Sequence, residues 1–177
     1  SGTVTMQDTR FIGNSGLQGG AMSLINTTLN LTRVLFQEND AVVTGGTAAR
    51  IGGAIMGGGG STPDDPTHPL TLTDVQFISN TAAGSNSAIY FQYGTAVLTN
   101  VLFQGNNDLG SWPNAFGSDY SALTLTNVVL AGNRGNGLRA QICHSTLTNV
   151  TASGNSNYGI SLGSGSLDVR NSIIYGN

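Results

Sequence analysis

Apolar and polar residues alternate in short bursts along this chain, and burst after burst closes on an asparagine. The closures are FIGN at Asn14, FQEN at Asn39, FISN at Asn80, FQGN at Asn106, LAGN at Asn133, ASGN at Asn155 and IYGN at Asn177. They follow one another at steps of 25, 41, 26, 27, 22 and 22 residues. Aligned on these asparagines, the chain falls into columns. Ten positions before the anchor stand Val4, Leu29, Leu70, Ala96, Leu123, Ser145 and Leu167. Eight before stand Met6, Leu31, Leu72, Leu98, Leu125, Leu147 and Val169. Three before stand Phe11, Phe36, Phe77, Phe103, Leu130, Ala152 and Ile174. Polar residues, most often Thr, fill the positions between the first two columns, with Val97 the exception. Six before the anchor stand Asp8, Arg33, Asp74, Asn100, Asn127, Asn149 and Asn171. Seven concordant rows are an internal repeat.

Alternation at period two puts one face of a strand inward and the other outward. Each row breaks at the Asp/Asn column, restarts, and breaks again at Gly-Asn; both residue types accept the left-handed backbone that a tight bend needs. A third short run follows each anchor: GGAMSL (Gly19 to Leu24), GGAIM (Gly52 to Met56), SAIYF (Ser87 to Phe91), GLRAQI (Gly137 to Ile142) and GISL (Gly159 to Leu162). The row between Asn106 and Asn133 has no clear copy. Three short strands and three turns make one coil of a parallel β-helix. With 26 Gly in 177 residues and Thr and Asn throughout, no window carries a helical stripe. A coil cannot bury its apolar face alone, so neighbours must stack. At roughly 4.8 Å per coil the rows build a rod on the order of 30 Å long. The anchors Asn14, Asn39, Asn80, Asn106, Asn133, Asn155 and Asn177 are expected to form an amide ladder along it. A buried amide left unpaired costs about 1–3 kcal/mol, which explains the repetition.

Charge is sparse: six Arg, no Lys, nine acidic residues, net −3. There is no basic stripe for nucleic acid and no apolar run of about 18 residues for a membrane span in this segment. Cys143 is the lone cysteine, expected as a buried small hydrophobe. Both ends of the sequence fall inside a row. The expectation is a single domain over 1–177, uncapped at both ends, belonging to a longer protein, with its ends covered by flanking sequence or stacked on another copy.

The doublets GGAM and GGAI, together with FIGN, FQEN, FISN and FQGN, resemble the GGA-I and F-x-x-N repeats of polymorphic outer-membrane protein families. LTLTDVQFISN, LTLTNVVLAGN and VRNSIIYGN resemble repeats of large bacterial surface proteins that carry a C-terminal sorting anchor. The resemblance covers nearly the whole chain and is weakest over 40–69 and 107–119. It implies a right-handed β-helix displayed outside the cell, often adhesive. The fold class expected is therefore all-β: a right-handed parallel β-helix of about seven coils, extracellular or at the cell surface, associated with outer membrane or wall.

Candidate chemistry lies in three segments expected to leave the rod as loops, 40–50, 57–69 and 107–119. The second holds the adjacent acids Asp64 and Asp65, between prolines and followed by His68. Paired carboxylates serve polysaccharide cleavage or calcium binding; a rigid polar loop is the plainer reading. The third holds Trp112, the only tryptophan, with Phe116 and Tyr120. Aromatic rings among Asn and Asp suit sugar stacking; the plainer reading is a cover over the rod. Two His and one Cys make no zinc pattern, and no cofactor or catalytic residue is assigned. The T-x-T strands, Thr71-Leu72-Thr73 and its copies, suggest an outward Thr array that could order water and bind ice. The function expected is structural display and adhesion through side loops, toward glycans or a host or neighbouring-cell surface. The alternatives are a polysaccharide-binding or polysaccharide-degrading β-helix and, third, ice binding.

Overall fold

The computed structural model describes residues 2–42, 50–59 and 67–177. None of these residues is helical. Their strands form three sheets, of nine, seven and three strands. The seven-stranded sheet contains Arg10–Ile12, Leu35–Gln37, Gln76–Ile78, Leu102–Gln104, Val129–Ala131, Thr151–Ser153 and Ile173–Tyr175. Each contributes one rung, and each pairs in parallel with the equivalent strand of the next row. The nine-stranded sheet carries the longer runs, among them Ile89–Thr99, Asn114–Thr126, Asn136–Thr148 and Ile160–Arg170. Asp40–Ala41, Thr81–Ala82 and Asn107–Asp108 make the three-stranded sheet. The molecule is a parallel β-solenoid.

Its register follows the sequence columns residue by residue. Leu29 pairs with Leu70, Leu70 with Ala96, Ala96 with Leu123 and Leu123 with Ser145. Leu31, Leu72, Leu98, Leu125 and Leu147 stack in the same way and are all buried. On the facing sheet Phe11, Phe36, Phe77 and Phe103 stack ring on ring, with centroids 4.9, 5.0 and 5.0 Å apart. Parallel registration dictates this face-to-face geometry, since like residues repeat at the strand spacing.

Two corners explain the turn columns. Asp8, Arg33, Asp74, Asn100, Asn127, Asn149 and Asn171 all have φ between 48° and 56°. The residue before each anchor is likewise left-handed: Gly13, Glu38, Ser79, Gly105, Gly132, Gly154 and Gly176. The bend puts each anchor asparagine inward, and from Asn39 to Asn155 the anchors are buried. From Asn39 onward each Oδ1 takes two donors from the preceding rung; Asn80 Oδ1 accepts the Asn39 N–H at 3.0 Å and the Asn39 Nδ2 at 2.9 Å. From Asn39 onward each Nδ2 also donates to a carbonyl of the preceding rung, as Asn80 does to Phe36 at 3.0 Å. The expected ladder runs unbroken from Asn14 to Asn177.

Two expectations need correction. Residues 107–119 do not leave the rod as one loop: Asn107–Asp108 and Asn114–Thr126 are strands. The third run missing from this row is also present. Phe116 pairs with Ile89 on one side and Leu138 on the other, so Asn114 to Gly117 is its copy. Of the other two segments, Asp40–Ala41 and Ile55–Gly58 are strands within the sheets, and 43–49 and 60–66 lie outside the described residues. The buried Cys143 matches its expected role, and burial pushes its thiol up.

Candidate functional site

The side chains proposed from sequence part company in the structure. Phe116 cannot meet a ligand: it is fully buried, its ring 5.7 Å from that of Phe103. Its inward place follows from its register with the buried Ile89 and Leu138, which the loop expectation had hidden. Tyr120 turns to a different corner, stacked on Tyr93 at 4.9 Å. His68 has its Nδ1 2.8 Å from the Thr67 hydroxyl and does not line the groove described below. Asp64 and Asp65 lie outside the described residues. Among the described residues no group of His, Cys, Asp and Glu could hold a metal ion.

Trp112 remains, and it stands out from the rod at 76% exposure. It forms one wall of a lateral groove of ≈ 650 Å³. Tyr158, 60% exposed, lines the same groove with Arg139, Gln141, Asn157 and Ser161. The register brings these together from three rungs. Trp112 bridges Ser85 of the preceding rung, and Arg139 pairs with Gly117 on one side and Ser161 on the other. A side chain at Gly117 would collide with the Asn86 amide, which occupies the space beside it.

The polar side of the groove is fixed from behind. Arg139 Nη1 lies 2.8 Å from Asp119 Oδ1, and the Tyr90 hydroxyl donates to Asp119 Oδ2 at 2.9 Å. Burial, then the Asp119 charge, pushes the Tyr90 phenol well up, so it stays protonated and donates. Beneath lies a second amide ladder: Asn136 Nδ2 donates to Asn114 Oδ1 at 2.7 Å, and Asn114 Nδ2 to Asn86 Oδ1 at 3.0 Å. Asn136 Oδ1 then accepts the Tyr158 N–H at 3.1 Å, which seats the second aromatic residue.

Tyr158, Arg139, Gln141 and Asn157 were not singled out from the sequence. The signal was present but depended on alignment. Once NAFGSD is registered against SAIYFQ, Tyr90, Gly117, Arg139 and Ser161 become one outward column, and Gln92, Asp119 and Gln141 another.

Chemically, the groove offers two accessible aromatic faces with amide, guanidinium and hydroxyl groups between them. Such a surface can stack an apolar ring face and hydrogen-bond its polar edge. No family model, no curated protein sequence and no solved structure gives a significant match to this chain.

Proposed function

We propose that this β-solenoid is a glycan-binding display element of a secreted or surface protein, adhesive through its lateral groove. The observation that carries the reading is the presence of Trp112 and Tyr158 in one groove with hydrogen-bonding side chains between them. The pairing of Arg139 with Asp119 compensates the guanidinium charge, so a neutral polysaccharide fits better than an acidic one. The same pairing engages the carboxylate behind the groove, and binding is favoured over hydrolysis, which calls for a pair of working carboxyl groups. The GGA and F-x-x-N repeats, through their resemblance to polymorphic outer-membrane protein repeats, support display outside the cell. A panel of neutral and acidic polysaccharides, read by affinity electrophoresis and by release of reducing ends, tests the proposal. Retardation by neutral polymers without cleavage, abolished by Trp112→Ala, is expected. No retardation by any polymer, or new reducing ends, overturns it.

A second reading rests on register. Thr32, Thr73, Thr99, Thr126 and Thr148 occupy five consecutive rungs of one outward column. The neighbouring column has Asn30, Thr71, Val97, Thr124 and Thr146. A regular hydroxyl and methyl array of this kind could order water as an ice-binding face. Faceting of ice crystals in the presence of the protein, lost in Thr99→Arg, is the outcome this reading requires.

A further inference from the structure

Asp108 occupies a column of alanines. Ala41, Ala82 and Asp108 succeed one another in the three-stranded sheet, and all are buried. The reason for a carboxylate there lies in the adjoining turn. In two earlier rungs that turn is held by main-chain bonds: the Gly19 N–H donates to the Ile51 carbonyl at 3.0 Å, and the Gly52 N–H to the Ser85 carbonyl at 3.2 Å. Since Trp112 sits beside Ser85, the next bond in this series would run from the Asn86 N–H to the Trp112 carbonyl. The Asn86 N–H turns instead to Asp108 Oδ2, at 2.5 Å.

The same carboxylate holds both ends of the turn that carries Trp112. Oδ1 accepts the Gly110 N–H at 2.8 Å, and Oδ2 accepts the Asn114 N–H at 2.8 Å. The Trp112 carbonyl, released from the ladder, is taken up by Asn114 Nδ2 at 2.7 Å and the Ser85 hydroxyl at 3.3 Å. Only an acceptor with two oxygens serves three N–H donors from these directions. An asparagine would turn an NH2 group toward one set of donors.

We infer that Asp108 is the positioning residue of the groove: its carboxylate replaces a main-chain rung bond and clamps the 109–113 turn, so that Trp112 is held out from the rod in a fixed pose. Its importance for ligand binding rests on the glycan reading of the groove; the clamp itself does not.

Trp112 is the only tryptophan, so intrinsic fluorescence reports on this turn alone. Asp108→Ala places in this rung the residue that the two preceding rungs already carry, and the β-sheet circular dichroism is expected to persist. Without ligand, Trp112 anisotropy should fall and its quenching by iodide should rise. Affinity for a neutral polysaccharide should drop about tenfold, as a preordered aromatic face becomes mobile. Asp108→Asn, nearly the same size, should shift fluorescence in the same direction and gives the readout if the alanine variant does not fold. Unchanged anisotropy and quenching in folded variants overturn the inference, whatever the polysaccharides do. A fluorescence change in a protein whose wild type binds no polysaccharide upholds the clamp and removes the glycan reading.

Discussion

Asn133 Oδ1 accepts both the main-chain N–H and the side-chain amide of Asn106, at 2.9 and 3.0 Å. Its own Nδ2 donates to the Phe103 carbonyl at 3.1 Å and to Asn155 Oδ1 at 2.9 Å. Asn133→Ala would leave a buried N–H and a buried carbonyl without these partners. The expected loss is about 3 kcal/mol, at the upper end for an unsatisfied buried group. Asn14 is exposed and only donates within the ladder, so Asn14→Ala should cost clearly less. Denaturant midpoints of the two variants check this; equal losses would mean that the inner rungs are worth no more than the outer one.

The phenylalanine column predicts a second contrast. Phe77 is fully buried between the rings of Phe36 and Phe103. Phe77→Ala opens a cavity and should cost about 3–5 kcal/mol. Phe77→Leu should cost much less, because Leu130 already stands in the column beside Phe103. Thermal unfolding of both proteins would show it, and similar losses would indicate that ring stacking matters more than filled volume.

The fold was legible because a solenoid writes its register into the sequence. Each anchor Asn is needed where it stands, and rows therefore align without knowledge of the structure. The site was less legible because it is built across rungs. Trp112, Arg139 and Tyr158 are far apart in sequence and meet only when each row is correctly superposed on the next. The row after Asn106 obscured this. Its third run, NAFG, has polar Asn114 where earlier rows have small residues, and that amide belongs to the buried Asn86–Asn114–Asn136 ladder. Reading the segment as a loop joined Phe116 to Trp112, although registration with Ile89 and Leu138 turns Phe116 into the core.

Ile142 offers a prediction that no column revealed. It has φ 55° and is exposed, in line with the left-handed Tyr93 and Tyr120 of the preceding rungs. For a β-branched residue this conformation is an outlier, and its cost relative to the ordinary backbone is about 1–2 kcal/mol. Tyr93 and Tyr120 gain stacking in return, whereas Ile142 has no ring to stack. Ile142→Asn should raise stability by about 1 kcal/mol, since Asn tolerates this backbone. A denaturant midpoint at or below wild type would show that the isoleucine contacts outweigh the strain.

Asp8 and Asp108 should give opposite responses to pH. The hydrogen bonds from Arg33, then Gln7, hold the exposed Asp8 carboxyl down at about 2. A native value below the unfolded one adds stability above the ordinary carboxylate range and loses it as pH falls toward the native value. Burial acts the other way on Asp108 and pushes its carboxyl up, against the N–H donors of Asn114, Gly110 and Asn86 and the charge of Arg134. A native value above the unfolded one adds stability that is complete below the unfolded value and lost as pH rises through the native one. Stability measured by urea unfolding should therefore carry a falling component just above the ordinary carboxylate range and a shallow rising component below it. Asp108→Asn should remove the first and leave the second; Asp8→Asn should do the reverse. If the Asp108→Asn curve runs parallel to wild type above the ordinary carboxylate range, burial does not govern the ionisation of Asp108, and the three N–H donors compensate fully for the water it has lost.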